Sequence, residues 1–148
     1  MKQVLFSIDE VQKMIAQGNR LLLAGDESAL EKLLPGKWIG GTIPYFIGEN
    51  GGVSTREHIY VTEVPDFVTE SEIVVYDDTN ISRVYVDAAS FSLSFIIIPA
   101  TSKSHLSFAV NAPKYEGFAT RPLVGWIAGV HLSDLGSSTP KVFDGSHL

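Results

Sequence analysis

Hydrophobic residues near the start of the chain recur at the spacing of an amphipathic helix. Ser7 and Glu10 form the S-x-x-E signature of a capping box, and Gly18 follows as a typical left-handed residue after a helix end. The pattern therefore predicts a helix within SIDEVQKMIAQG. Its inward-facing positions are Ile8, Val11, Met14 and Ile15.

A second helix is predicted in DESALEKLLPG. Asp26 is a favourable N-cap residue, acidic residues fill the first turn, and the Pro-Gly pair would end the helix. The residues expected to face inward are Leu30, Leu33 and Leu34. The apolar run RLLLAG between the two predicted helices fits either a buried strand or a helical turn.

Strand patterns dominate the centre of the chain. KWIGGTIPYFIG predicts a strand, ENGG a type I′ turn, and EHIYVTEV the return strand of a hairpin. EIVVYD is a further strand candidate. SLSFIIIP is the most β-like run, and residues 95–98 lack polar alternation, which predicts a central strand covered on both faces.

The remaining segments alternate between helical and strand-like patterns. NISRVYVDAASF has helical spacing with Asn80 as its candidate cap, and SKSHLSFAVNAP predicts a short helix. RPLVGWIAGV predicts a strand interrupted by glycines. KVFDG predicts a last strand that lies at a sheet edge or pairs with something outside the chain. Together these elements predict an α/β or α+β fold: a layered single domain, residues 1–148, with a mixed β-sheet covered by helices.

Composition and charge exclude several functions. The 148 residues carry a net charge of −6 and their 11 Lys and Arg are scattered, so we expect no nucleic-acid partner. The absence of cysteine excludes disulfides and cysteine metal sites. The N-terminus lacks a signal-peptide pattern, and the longest apolar run, FIIIPA, is too short to span a bilayer. We therefore expect a soluble, cytoplasmic protein with no membrane partner.

The titratable residues form no established catalytic or metal-binding motif. His58, His105, His131 and His147 occur in no H-x-x-x-H or H-E-x-x-H pattern, and His147 is expected to be mobile. The carboxylates of TEVPDFVTESE and VYDDTN fit solvated loops better than acid–base catalysis. Neither a G-x-S-x-G elbow nor a phosphate-binding glycine motif occurs. We predict no catalytic residue, no metal site and no cofactor.

Two apolar strands, WIGGTIPYF and PLVGWIAGV, are interrupted by glycines and carry a tryptophan close to a glycine. Glycine allows another backbone or a ligand to approach a sheet closely, and neighbouring aromatic side chains can line a pocket. The alternative is that bulky neighbours fill the space above each glycine. The candidate ligand-binding residues are Gly40, Gly41, Thr42, Tyr45 and Trp126.

The same two regions resemble FIST sensory domains. IGGTIPYFIGENGG is similar to a FIST segment in which a strand ends in a glycine and small polar residues, and RPLVGWIAGVHLSDLGSSTPKVFDG is similar to a later segment of the FIST N-terminal half. The resemblance implies a sensory input module of bacterial signalling proteins that binds small molecules such as amino acids. FIST domains are usually longer, so the resemblance implies one of three things: a shortened relative, a free-standing half, or a small bacterial protein of the kind that a mobile gene cassette encodes. The matching positions of the later segment are Val124, Gly125, Ala128, Gly129, Asp134, Thr139, Val142, Phe143 and Gly145.

The function predicted first is a small-molecule-binding or sensory-type domain without catalytic activity, with a small metabolite such as an amino acid as ligand and a homodimer as its assembly. One alternative is a homodimeric structural or interaction module without a ligand. A second alternative is a small Asp/His-dependent enzyme. A binding module predicts a closed aromatic pocket, an enzyme predicts a histidine and a carboxylate in one cleft, and an interaction module predicts a large apolar patch.

Overall fold

The computed structural model of the protein describes residues 3–145. His147 lies outside the described residues. Contacts group the described chain into two compact units: residues 3–73 with 128–145 form unit 1, and Val74–Ile127 form unit 2. The single domain over residues 1–148 stays a prediction.

Three α-helices and nine β-strands lie within the described residues, and they form the α+β class of fold that the sequence predicts. In chain order they are β1 (Leu5–Ser7), α1 (Ile8–Ala16), β2 (Leu21–Gly25), α2 (Glu27–Leu30), β3 (Trp38–Thr42), β4 (Tyr45–Gly48), β5 (Gly51–Ser54), β6 (His58–Glu63), β7 (Ser94–Pro99), α3 (Lys103–Asn111), β8 (Leu123–Ala128) and β9 (Val142–Asp144).

The main sheet belongs to unit 1 and has the strand order β1-β6-β2-β3-β9. It is mixed, since β2 and β3 are parallel whereas the other neighbouring pairs are antiparallel. RLLLAG is therefore the strand β2, and KVFDG supplies the edge strand β9. Because β2 and β3 run in the same direction, their carboxyl ends lie at the same edge of the sheet.

Helix α1 confirms the predicted capping pattern. The Ser7 hydroxyl accepts a hydrogen bond from the Glu10 N–H at 3.3 Å, and the Glu10 carboxylate accepts one from the Ser7 N–H at 2.8 Å. Gly18 has a φ of 82° and its N–H donates to the Ile15 carbonyl, as in a helix that ends in a left-handed residue. Val11 and Ile15 are buried on the inward face of the helix.

Helix α2 is a single turn, which is shorter than predicted. Asp26 is its N-cap and accepts a hydrogen bond from the Ser28 N–H at 3.1 Å. Leu30 and Leu33 are buried, but Leu34 is 59% exposed, so its predicted inward orientation is wrong. The chain leaves the helix before Leu34, and helical spacing no longer determines which way that side chain points.

The predicted strand KWIGGTIPYFIG is two strands. β3 ends before Pro44, which lacks the N–H that a continuing ladder requires. β4 pairs with β5, whereas β6 pairs with β1 and β2, so the return strand predicted at EHIYVTEV is wrong. The type I′ turn is also wrong, because Gly51 has a positive φ of 110° but Asn50 does not.

Trp38 is the largest side chain of the unit 1 core, with 1% of its surface exposed. Its indole N–H donates to the Leu34 carbonyl at 3.0 Å, and Phe143 stacks on it with ring centroids 6.4 Å apart. A Cβ atom built at Gly40 would lie 3.3 Å from the indole, and one at Gly145 would lie 2.6 Å from it. At Gly40, therefore, a bulky neighbour does fill the space above the glycine.

Unit 2 contains a two-stranded sheet of β7 and β8, with α3 packed on β7. SLSFIIIP is a strand as predicted, but its central position is wrong: within the described chain β7 pairs with β8 alone. Ile98 is 2% exposed, whereas Phe95 is 40% exposed. A Cβ atom built at Gly125 would overlap the Ile96 carbonyl, which shows that β8 approaches β7 closely at this position.

Two further segments differ from their predictions. EIVVYD forms neither a helix nor a strand. NISRVYVDAASF contains only a 3₁₀ turn, Ile81–Arg83, and the Asn80 side chain does not cap it. Helix α3 confirms the prediction for SKSHLSFAVNAP, and the Ser102 hydroxyl accepts its capping hydrogen bond from the His105 N–H at 3.0 Å. Across residues 3–145, every helix is too short or too polar to cross a membrane.

Candidate functional site

Unit 1 contains a cleft of about 310 Å³ at the carboxyl ends of the parallel strands β2 and β3. Asp26 directly follows β2, and Ile43 directly follows β3. Open α/β sheets commonly bind ligands at this position, because loops that leave parallel strands at one edge enclose a crevice. The polar side chains that line the cleft are Asp26, Glu27, Ser28, Glu31, Thr42, Arg56, His131, Asp134, Ser138 and Thr139.

Backbone hydrogen bonds fix the floor of this cleft. The Ile43 N–H donates to the Gly25 carbonyl at 2.9 Å, which holds the two strand ends together. Thr42 is buried, and its hydroxyl accepts a hydrogen bond from the Lys141 N–H at 2.9 Å. The Gly129 N–H donates to the Thr42 carbonyl at 2.6 Å. Thr42 therefore joins the end of β3 to two later segments of the chain, at Gly129 and at Lys141.

Arg56 links two carboxylates across the cleft. Its Nη1 atom lies 2.8 Å from an oxygen of Asp134 and 3.3 Å from an oxygen of Asp26. The hydrogen bond to Asp134 raises the pKa of Arg56, and the same bond lowers the pKa of Asp134. This geometry ties the Arg56 loop to the end of β2 and to the segment before β9.

His131 is held between an aromatic ring and a hydroxyl. Its imidazole stacks on Tyr45 with ring centroids 5.2 Å apart, and its Nδ1 lies 2.7 Å from the Ser133 hydroxyl. Nδ1 also accepts the Ser133 backbone N–H at 3.2 Å, which fits the neutral tautomer with its proton on Nε2. The Ser133 hydroxyl in turn lies 3.1 Å from a carboxylate oxygen of Asp134.

Two acidic residues at the α2 side of the cleft differ in their pairing. Glu27 forms an ion pair with Lys141. Glu31 lines the cleft, and its carboxylate has no ion pair or hydrogen bond with the described residues. Among residues 3–145, the four carboxylates of the cleft thus face two cations, Arg56 and Lys141. The cleft therefore carries a local excess of negative charge.

The structure distributes the predicted ligand-binding residues over both units. Thr42 lines the cleft, and Tyr45 contacts it through the stacked ring of His131. Gly40 and Gly41 lie in the interior of β3, paired with β2 and β9, and they do not line the cleft. Trp126 belongs to unit 2. A common ligand for these five residues stays a prediction.

Unit 2 has a separate cavity of about 230 Å³ between its sheet and its aromatic residues. Trp126 lines this cavity, and its Nε1 atom is buried without a hydrogen-bond partner in the described chain. Tyr85 and Phe108 form a second wall, with ring centroids 6.5 Å apart. Burial raises the pKa of Tyr85 above its ordinary value.

Sequence reasoning does not identify Arg56, His131 and Asp134 as members of one cleft. Arg56 follows a hairpin, whereas His131 and Asp134 follow β8, and no short motif contains all three residues. The sequence predicts Asp26 as a helix cap, and the structure confirms it. The signal that could have indicated a site is a different one: Asp26 directly follows a buried strand, and ligands commonly bind at the carboxyl ends of such strands. No group of three acidic or histidine residues among those described is arranged to hold a metal ion.

Comparison with known proteins assigns the chain to a family. Residues 6–148 match the Family of unknown function (DUF6976), and the chain belongs to this family. No curated protein and no solved structure matches the chain. The resemblance to FIST domains stays a prediction.

Proposed function

We propose that unit 1 binds a small, polar, amine-bearing metabolite, such as an amino acid, in the cleft at the ends of β2 and β3. The observation that carries this proposal is the unpaired Glu31 carboxylate in a cleft where four carboxylates face two cations. A cleft volume of about 310 Å³ also falls within the range of small-ligand sites, roughly 300–1,000 Å³. The sensory use of such binding, which the resemblance to FIST domains implies, is part of the proposal.

The charge pattern defines which ligand groups the cleft favours. An ammonium group beside Glu31 gains Coulomb attraction without displacing an existing ion pair. Hydroxyl groups of Ser28, Ser138 and Thr139 supply neutral hydrogen-bonding positions around it. A ligand with only negative charges would approach a surface of the same sign. We therefore expect amines and zwitterions to bind and dicarboxylates not to bind.

Isothermal titration with a panel of small ligands that differ in charge tests this proposal. The panel contains 1,4-diaminobutane, L-ornithine and succinate, at low and at physiological salt. Glu31→Gln is expected to weaken binding of the two amines by up to about fivefold, since Glu31 is exposed and an ion pair with an exposed carboxylate contributes about 0.2–1 kcal/mol. The matched control is Glu63→Gln, because Glu63 is an exposed carboxylate of unit 1 outside the cleft. Binding of succinate alone, or no binding of either amine, would contradict the proposal.

The close contact of His131 with Ser133 favours a second candidate function, acyl-transfer or hydrolytic chemistry. A histidine nitrogen 2.7 Å from a serine hydroxyl is within reach to accept its proton, and Arg56 Nη2 lies 3.4 Å from the same oxygen. A fluorophosphonate probe, which labels activated serines, distinguishes this function from binding. Labelling that Ser133→Ala abolishes would support it, and an unlabelled wild-type protein would exclude an activated Ser133.

The homodimer proposal is supported by the position of β9. This strand lies at an edge of the main sheet with β3 on one side, and an edge strand can pair with a second copy. Val142 is exposed on it. Light scattering after size exclusion measures the mass directly, and Val142→Lys should dissociate a dimer that forms through β9. A mass of 16.1 kDa at all concentrations would refute the dimer.

A further inference from the structure

The turn between β4 and β5 contains the single Asn-Gly pair of the sequence. The asparagines are Asn19, Asn50, Asn80 and Asn111, and glycine follows Asn50 alone. Glycine has no Cβ atom to hinder its backbone nitrogen. That nitrogen therefore attacks the side-chain amide of a preceding asparagine more readily than the nitrogen of a bulkier residue does.

The structure leaves the Asn50 side chain open to this attack. Asn50 is exposed, and its amide makes no hydrogen bond with the described residues. In contrast, the side-chain oxygen of Asn80 accepts a hydrogen bond from the Asp77 N–H at 2.8 Å. A Cβ atom built at Gly51 or Gly52 would meet no atom within 4 Å, so no neighbouring group crowds the turn.

The hairpin that carries the turn opens easily. Within residues 3–145, β4 and β5 pair only with each other, and every residue of β5 is exposed. A two-stranded sheet of this kind is marginally stable, and exposed elements with few buried contacts open at a small cost in free energy. Opening frees the Gly51 nitrogen and lets the turn rotate into the geometry that the attack requires.

A second pair with the same chemistry, Asp144-Gly145, is held in place by the main sheet. The Gly145 N–H donates to the Trp38 carbonyl at 2.9 Å, and the Gly145 carbonyl accepts from the Gly36 N–H at 2.7 Å. The Trp38 indole packs against this glycine. Ring closure there would require β9 to leave the five-stranded sheet, so the structure separates two pairs that look alike in the sequence.

We propose that Asn50 is a site of spontaneous deamidation, with the Gly51 nitrogen as nucleophile and water as co-reactant. The Gly51 nitrogen bonds to Cγ of Asn50, the bond between Cγ and Nδ2 breaks, and ammonia leaves with the proton of the Gly51 nitrogen. Water then opens the resulting succinimide at either carbonyl, which leaves aspartate or isoaspartate at position 50. Either product adds one negative charge to the net charge of −6.

The isoaspartate product adds a methylene group to the backbone of the turn. The register that pairs Gly48 with Gly51 would no longer fit this longer backbone. The same hairpin carries Tyr45, whose ring stacks on His131, so the reaction modifies the element that supports one side of the cleft. The site itself does not depend on what the cleft binds.

Peptide mapping of the full chain by mass spectrometry tests this proposal. The folded protein is incubated at neutral pH and physiological temperature and is then digested in acid. We expect loss of the amide at Asn50, with isoaspartate identified by electron-transfer fragmentation, and no comparable loss at the other asparagines. The rate in the folded protein should lie within about tenfold of the rate in concentrated urea, because opening of the hairpin is cheap.

Asp144→Asn is the matched control, because it places the same dipeptide chemistry in the main sheet. Its folded-state rate at position 144 should be at least roughly a hundredfold below that at Asn50, since the reaction there requires β9 to leave the sheet. If Asp144→Asn does not fold, the folded and urea rates at Asn50 in the wild type still decide the matter. A folded rate at Asn50 more than about tenfold below the urea rate, amide loss without isoaspartate, or a folded rate at position 144 as high as that at Asn50 would overturn the proposal.

Discussion

Gly145→Ala is expected to destabilise unit 1 because its new methyl group would collide with the Trp38 ring. The added Cβ atom would lie 2.6 Å from Cδ1 and Nε1 and 2.7 Å from Cδ2. The backbone cannot easily yield, since the Gly145 N–H donates to the Trp38 carbonyl at 2.9 Å and its own carbonyl accepts from the Gly36 N–H at 2.7 Å. Trp38 is nearly fully buried and has no open space to enter.

Overpacking of this kind typically costs about 1–3 kcal/mol of the free energy of unfolding. At a urea m-value of about 2 kcal/mol per M, a loss of about 2 kcal/mol lowers the midpoint by about 1 M. Circular dichroism at 222 nm should follow the transition, because tryptophan fluorescence would change in any variant of Trp38. Gly40→Ala, where the nearest atom would lie 3.3 Å away, should cost less than Gly145→Ala.

Two controls make this prediction specific to the collision. Gly129→Ala introduces the same methyl group at a site with no neighbour within 4 Å, so its midpoint should equal or slightly exceed that of the wild type. Combining Gly145→Ala with Trp38→Phe replaces the indole by a smaller ring, and the cost of the alanine should then fall by more than half. Equal midpoints for Gly145→Ala and Gly129→Ala, or an undiminished alanine cost in the Trp38→Phe background, would refute the explanation.

Three further predictions concern burial, pH and helix capping. Ile98→Asp should lower the melting temperature by far more than Phe95→Asp, because Ile98 is 2% and Phe95 40% exposed and an unpaired buried charge is costly; similar losses would contradict the burial pattern of β7. The hydrogen bond from Arg56 lowers the pKa of Asp134 in the folded state. The ionised Asp134 therefore contributes stability above the unfolded pKa of about 4, and this contribution is lost as pH falls through the folded pKa. Asp134→Asn should flatten the dependence of stability on pH across that acidic range, and an unchanged slope would exclude the ion pair. Ser7→Ala should cost about 1 kcal/mol through the lost cap, measured by urea unfolding against Ser71→Ala in an irregular exposed segment, and equal midpoints would contradict the capping role.

The elements that the sequence predicts correctly depend on interactions between close neighbours in the chain. The cap of α1 needs only Ser7 and Glu10, and its end needs only a residue that tolerates positive φ at Gly18. The Asp26 cap follows the same logic. These signals are local, so they do not depend on how distant segments of the chain pack.

The errors arise where distant segments determine the outcome. EHIYVTEV is a strand as predicted, but β5 takes its place in the hairpin even though GGVS has weak β-propensity and is exposed throughout. β6 is an interior strand of the main sheet, between β1 and β2. No periodicity within β6 identifies those two partners. Likewise, the apolar run of β7 reports what the strand can bury, not how many strands surround it.

The glycine pair of β3 illustrates why the site itself was only partly predictable. A glycine inside a strand indicates a close approach, but it does not identify what approaches. At Gly40 the Trp38 ring does so, and the adjacent Gly41 is paired between Ala24 and Val142. The polar cleft begins directly after the glycine pair, where Thr42 and Pro44 end the strand beside Asp26. The polar side chains of the cleft therefore follow from the strand ends and not from the glycine pair. At this edge the residues that end or directly follow both parallel strands face a common space.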